Sequence, residues 1–203
     1  MTDYDATIFA PVDLVPVALD VYTDAYRVSG RAMTRFARVA DIANQAANTH
    51  LHVEQATLSE YADPTATISA MQLLVNMEAA LLVITADSDA PQRPEMRIPK
   101  RSVRAQIAVP PFRLTGMVHV PTGSRPADGV LNATDRFLTM TEATIACAPH
   151  PELGRTATAI AFQRGRAQMI LVADDENPDQ LLADVLDAAT AERWLHAREQ
   201  EPL

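Results

Sequence analysis

The chain repeats itself, and internal repetition constrains architecture before any local preference is weighed. Tyr26-Arg27-Val28-Ser29-Gly30 returns as Phe112-Arg113-Leu114-Thr115-Gly116, and Arg38-Val39-Ala40-Asp41 returns as Arg125-Pro126-Ala127-Asp128. The stretch Gln55-Ala56-Thr57-Leu58 returns as Glu142-Ala143-Thr144-Ile145, and the run closing Leu82 to Asp87 returns closing Met169 to Asp174. The offset is about 86 residues up to Gly30 and about 87 after it, which implies one residue gained or lost in the intervening loop. Each copy is about 70 residues long, near the lower limit for an independent core, so the copies are expected to pack on each other.

Local patterning makes the repeated unit β-rich. Val15 to Tyr22 and its partner Ser102 to Val109 alternate apolar and polar residues over strand lengths, and Tyr26 to Thr34 with Phe112 to Val120 supply a second strand. Arg38 to Gln45 and Arg125 to Asn132 read as short helical turns in which Asp41 and Asp128 cap free N–H groups. The closing runs divide near Met77-Glu78 and Arg164-Gly165, as a hairpin would, with Gly165 placed to adopt the turn conformation. No crossover helix separates the strands, so the order β-β-turn-β-β-β fits a small barrel or strongly bent sheet rather than an α/β fold.

The expected organisation is an N-terminal arm (1–14), β repeat one (15–87), a Pro-rich connector (88–101), β repeat two (102–174), and a C-terminal amphipathic helix and tail (175–203). The helix rests on Asn177 as N-cap, Pro178 at the first position, and a stripe of Leu181, Leu182, Val185, Leu186, Ala189 and Leu195. The fold expected is therefore mostly β, a tandem duplication packed as a pseudo-dimer about an approximate two-fold axis with a nearly self-complementary interface.

Composition narrows the function classes. A net charge of −9 argues against a nucleic-acid partner, which needs clustered cations. No apolar run approaches a membrane span. One cysteine, Cys147, excludes an internal disulfide framework, and the acidic start lacks the positive region of a secretory signal, so the cytoplasm is the expected compartment.

Repeat two carries Gly116-Met117-Val118-His119-Val120-Pro121-Thr122-Gly123-Ser124-Arg125-Pro126-Ala127-Asp128-Gly129-Val130-Leu131-Asn132, followed by Phe137-Leu138-Thr139-Met140-Thr141-Glu142-Ala143. This resembles a family of small bacterial domains with a strand–R-x-x-D-x-L-N–strand signature, best matched over residues 112–145. Leu131 and Asn132 stand one step late in it, and Asn44 of repeat one stands at a different spacing. The resemblance implies a fold unit and brings no activity.

Four constellations could carry chemistry. His50, His52 and Glu54 fall at i, i+2 and i+4, one face of a strand, and could offer ligands to a divalent metal. The same positions in repeat two are Phe137, Thr139 and Thr141, so a solvent-facing polar side is the competing reading, and no cofactor is expected. Arg38, Asp41, Arg125, Asp128 and Asn132 are polar residues of the two repeated loops, readable as paired binding notches with Arg as a fork, or as loop pins. Cys147 with His150 suggests a nucleophile pair, but both lie in a Pro-punctuated stretch with no counterpart in repeat one. Asp174, Asp175 and Glu176 form an acidic cluster echoed by Asp87 and Asp89.

The expected function is a non-catalytic binding or scaffold module recognising a protein or peptide at a sheet edge or between the copies. The alternative is a small-ligand or metal-binding protein, possibly an enzyme, with its site at the His50 strand or the inter-repeat cleft. A filled apolar interface would favour the module; a pocket lined with ionisable groups would favour the alternative.

Overall fold

The structure is a computed structural model and describes residues 14–45, 49–86 and 99–173. Among these residues ten antiparallel strands form one sheet. In the first half, β1 (Val15–Tyr22), β2 (Tyr26–Thr34), β3 (His50–Glu60), β4 (Thr67–Asn76) and β5 (Leu82–Thr85) are joined with helix α1 (Val39–Ala43) between β2 and β3. The second half follows the same order with β6 (Lys100–Val109), β7 (Phe112–Pro121), α2 (Pro126–Leu131), β8 (Phe137–Cys147), β9 (Arg155–Gln163) and β10 (Met169–Val172). Strand β6 begins at Lys100, two residues inside the connector expected from the sequence. The expected C-terminal helix, and the acidic residues Asp87, Asp89, Asp174, Asp175 and Glu176, lie outside the described residues.

Across the sheet the strands run β10-β6-β7-β8-β9-β5-β1-β2-β3-β4. The spatial order β5-β1-β2-β3-β4 of the first half thus recurs as β10-β6-β7-β8-β9 in the second. The sheet does not close into a barrel: among the described residues β4 and β10 pair on one side only. Nor do β4 and β5 form the expected hairpin. The turn after β4 carries β5 across to pair with β1, Leu19 opposite Thr85 and Val21 opposite Val83. In the second half the connection is a 3-10 turn, Arg164–Arg166, which redirects the chain without a reversing two-residue turn. Gly165 accordingly has no positive φ; among the glycines only Gly123 does.

Alternation explains the inward faces. Along β7, Phe112, Leu114, Gly116, Val118 and Val120 are buried in turn while their neighbours are not. Gly116 belongs to a bulge, where Thr115 pairs with Thr144 but Met117 pairs with Thr141, so Glu142 and Ala143 both oppose one residue. The first half has the same device: Ser29 pairs with Thr57 and Arg31 with Glu54, setting Gln55 and Ala56 opposite Gly30. Gln55 and Glu142 take φ of 49° and 51° to make it. A Cβ on Gly30 would lie 2.8 Å from the Glu54 carbonyl oxygen, and one on Gly116 would lie 2.7 Å from that of Thr141. The glycine shared by both halves is therefore where the bulged neighbour leaves no room for a side chain, and the bulge bends each half around its own core.

There are two such cores. One gathers Val17, Leu19, Val28, Ile42 and Val53 of the first half, together with Phe137 and Ala161 of the second. The other gathers Ile107, Phe112, Leu114, Met140 and Phe162, together with Tyr22, Leu82 and Ile84 of the first half. Each half lends side chains to the other's core.

Candidate functional site

The halves meet where β5 runs antiparallel to β9, with Leu82 opposite Phe162, Val83 opposite Ala161 and Ile84 opposite Ile160. All six side chains are buried. Their alternation sends Leu82, Ile84, Ile160 and Phe162 into one core and Val83 and Ala161 into the other. A strand covered on both faces needs an unbroken apolar run, and Leu82-Val83-Ile84 against Ile160-Ala161-Phe162 supplies it. The expected two-fold, self-complementary interface is not what forms. Strands β5 and β9 hold different places in their halves, so the contact is head-to-tail.

Helix α1 covers this junction, packing on β5, β8 and β9. Asn44, its C-cap, closes the contact: Nδ2 donates to the Phe137 carbonyl at 2.8 Å, and the Phe137 N–H donates back to Oδ1 at 2.8 Å. Further round, Gln163 Nε2 donates to the Met77 carbonyl at 3.1 Å. On the polar rim, Asp20 accepts hydrogen bonds from Ser29 Oγ at 2.6 Å, Arg27 Nη2 at 3.0 Å and Arg155 Nη1 at 2.7 Å. Burial pushes the Asp20 carboxyl up, but the bonds from Ser29 and Arg27, the Arg27 charge and the Arg155 bond outweigh it and hold it below its ordinary value. Arg166 pairs with Asp24 across the same boundary at 2.7 Å.

Asp20 and Arg155 escape a reading that keeps only residues shared by both copies, because their positional counterparts are Gln106 and Ile68. The available signal is that Asp20 is the one charged residue of an otherwise uncharged strand, Val15 to Tyr22. The inter-repeat depression beside them, lined by Ile84, Thr85, Ala86, Arg155, Thr156 and Ala157 among others, encloses about 260 Å³. Among the described residues its one charged lining residue, Arg155, is already committed to Asp20. Along the β5·β9 pairing the junction is filled and apolar, and among the described residues the depression beside it gathers no cluster of ionisable groups.

The residues singled out from sequence fall elsewhere. Arg38 and Arg125 are the N-cap residues of α1 and α2, and neither makes a side-chain capping bond. Asp41 and Asp128 sit inside the first turn instead of capping it. All four are exposed. Asn132 is the C-cap of α2, and therefore the positional equivalent of Asn44. The spacing mismatch arises because α2 is six residues long and α1 five. Asn44 is half-buried and bonded, whereas Asn132 is exposed.

His50, His52 and Glu54 do share the outer face of β3, opposite buried Leu51 and Val53. A strand rises about 3.3 Å per residue, so the first and last of the trio stand too far apart for one ion. Among the described residues no group of three or more His, Cys, Asp or Glu could hold a metal. Cys147 ends β8 rather than lying in a loop, and it is buried. Burial pushes its thiol up, and the Glu152 charge adds to this, outweighing the opposing effect of the His150 backbone N–H. His150 turns instead to Glu152 (Nδ1–Oε1 3.4 Å) and the Tyr61 ring. That is the reverse of an activated thiolate.

Within the described residues no helix is long and apolar enough to cross a membrane. No family model, curated protein or solved structure matches the chain.

Proposed function

We propose that the protein is a non-catalytic binding or scaffold module that takes up an extended segment of a protein or peptide along the edge of β4. One observation carries this reading. Strand β4, at one end of the sheet, is ten residues long, holds no charge and no proline, and exposes Ile68, Met71 and Leu74. Edge strands that must stay unpaired are normally short, charged, bulged or interrupted by proline, because their free N–H and C=O groups template further pairing. β4 has none of these guards, and strand addition to such an edge draws affinity from the main chain and specificity from alternate side chains.

The repeated strand order, the repeated bulge and the sequence offset support a tandem duplication as the origin of this scaffold. The likeness of residues 112–145 to small bacterial domains is in keeping with it. The apolar, buried β5·β9 pairing supports the module over the small-ligand alternative.

A panel of labelled extended peptides, screened by fluorescence polarisation, tests the proposal. Apolar, β-branched sequences should bind the wild-type protein, and Leu74→Arg should weaken them at least about tenfold, as for loss of a central interface anchor. Absence of binding, or binding indifferent to Leu74→Arg, refutes it.

A further inference from the structure

The junction between the halves is also a template. Its donor strand is β5, and the strand that receives it is β9. By sequence offset and sheet order, β10 is the counterpart of β5 and β4 the counterpart of β9, and among the described residues these are the two strands left at the ends of the sheet. We infer that β10 of one copy of this chain pairs with β4 of another, repeating the β5·β9 junction between molecules and building head-to-tail oligomers. This rests on the reading of β4 as a strand-accepting edge and names its occupant.

The register follows from the template. Leu82, Val83 and Ile84 correspond to Met169, Ile170 and Leu171, while Phe162, Ala161 and Ile160 correspond to Val75, Leu74 and Leu73. Met169 should therefore face Val75, Ile170 face Leu74, and Leu171 face Leu73. Both segments keep the unbroken apolar run of a strand covered on two faces. Among the described residues that cover is missing at Leu74 and at Met169, while Val75 is already buried. Leu74 is 66 % exposed where Ala161 is 0 %, and Met169 is 52 % exposed where Leu82 is 0 %.

The helices agree. α1 packs across the β5·β9 boundary, buries Ala43 to 6 % and grips the Phe137 backbone through Asn44. Its counterpart α2 leaves Leu131 72 % exposed at the place of Ala43, with Asn132 exposed at the place of Asn44. Five of the nine large exposed apolar side chains among the described residues, namely Ile68, Met71, Leu74, Leu131 and Met169, thus lie on the elements one further junction would cover. Asn132 would then hold the backbone of His50 in the next molecule, since His50 stands where Phe137 does. A contact between unlike surfaces closes into a ring when its rotation permits and otherwise extends as a filament. The internal junction carries Arg155 on Asp20, whereas the outer one has Ile68 in place of Arg155, so the two are not interchangeable.

Sedimentation velocity on the full chain, from low to tens of micromolar, should show species of two or more chains. Leu74→Arg should return them to monomer with at least about tenfold weaker association, while Met33→Arg, an exposed control on β2, should not. Directly opposed residues of antiparallel strands lie about 4.5–5.5 Å apart between Cα atoms, within disulfide reach. Oxidising a mixture of Leu74→Cys chains and Ile170→Cys chains should therefore give covalent heterodimers, with Cys147 buried and silent. A monomeric wild type, oligomers indifferent to Leu74→Arg, or a double variant Leu74→Cys/Ile170→Cys that links only within one chain each overturn the inference. If the chain is monomeric yet peptides still bind in a Leu74-dependent way, the strand-accepting edge survives and only its occupant is wrong. If both fail, the edge reading falls too.

Discussion

Asn44 offers the sharpest test of how the halves are held. Its carboxamide makes two 2.8 Å bonds to one residue, donating to the Phe137 carbonyl and accepting from the Phe137 N–H. Phe137 starts β8 and is itself buried, so water replaces these bonds poorly once the side chain is truncated. Two bonds at about 1 kcal/mol each, plus the penalty for polar groups left partly unsatisfied, put Asn44→Ala at roughly 2–4 kcal/mol. For a chain of this size that corresponds to a fall in Tm of about 4–16 °C. Urea unfolding followed by far-UV circular dichroism should show it, with monomeric protein used throughout. Asn44→Asp adds a control on mechanism. The aspartate can still accept from the N–H but sets a negative oxygen against the Phe137 carbonyl, and protonating it restores a donor. Its deficit relative to wild type should therefore shrink as pH falls through the carboxylate range. Asn132→Ala, with its side chain in solvent, should cost under about 0.5 kcal/mol in the monomer. A cost for Asn44→Ala below that same level would refute the argument that this clamp joins the halves.

Two other perturbations follow from features of the sheet. Asp20 has a folded-state carboxyl held below its ordinary value, so its stabilising share is present above the unfolded value and lost as pH falls through the depressed one. Acid titration of thermal stability should be steeper for wild type than for Asp20→Asn in that window; identical slopes would show that the Ser29, Arg27 and Arg155 bonds do not act on the charge. Gly116→Ala would bring a Cβ to 2.7 Å from the Thr141 carbonyl oxygen and 2.8 Å from Met140 Cγ. It should cost about 1–3 kcal/mol by overpacking, measured by the same urea unfolding, whereas Gly165→Ala, which meets nothing within 4 Å, should be nearly neutral.

Much of the strand framework was legible because it depends on local alternation. Val15 to Tyr22 and Tyr26 to Thr34 are β1 and β2 with those same limits, and the two loops hold α1 and α2. What escaped was non-local. Nothing in Leu82 to Thr85 says whether it folds back on β4 or crosses to β1 and β9, since an apolar run suits any strand covered on two faces. The bulges were invisible because Gln55 and Glu142, which adopt the left-handed conformation, are neither Gly nor Asn. The role of Asn44 was hidden by a one-residue difference in helix length, which made a true positional match look like a mismatch. Cys147 and His150 have no counterparts in the first half, and Cys147 is buried with its thiol pushed up. Asp20 and Arg155 likewise have no counterparts, Gln106 and Ile68 standing in their places, because what ties two halves together need not be repeated in each.

The alternation of β5 has a consequence for how the molecule comes apart. Val83 belongs to one core while Leu82 and Ile84, on either side of it, belong to the other. Pulling this four-residue strand from its place opens both interiors at once, and neither half can melt while the other keeps its strand. The halves therefore form a single cooperative unit despite their separate cores. Amide exchange in β2 and in β7 should proceed through the same global opening, and a fragment carrying one half alone would leave Phe137 and Ala161, or Leu82 and Ile84, facing water.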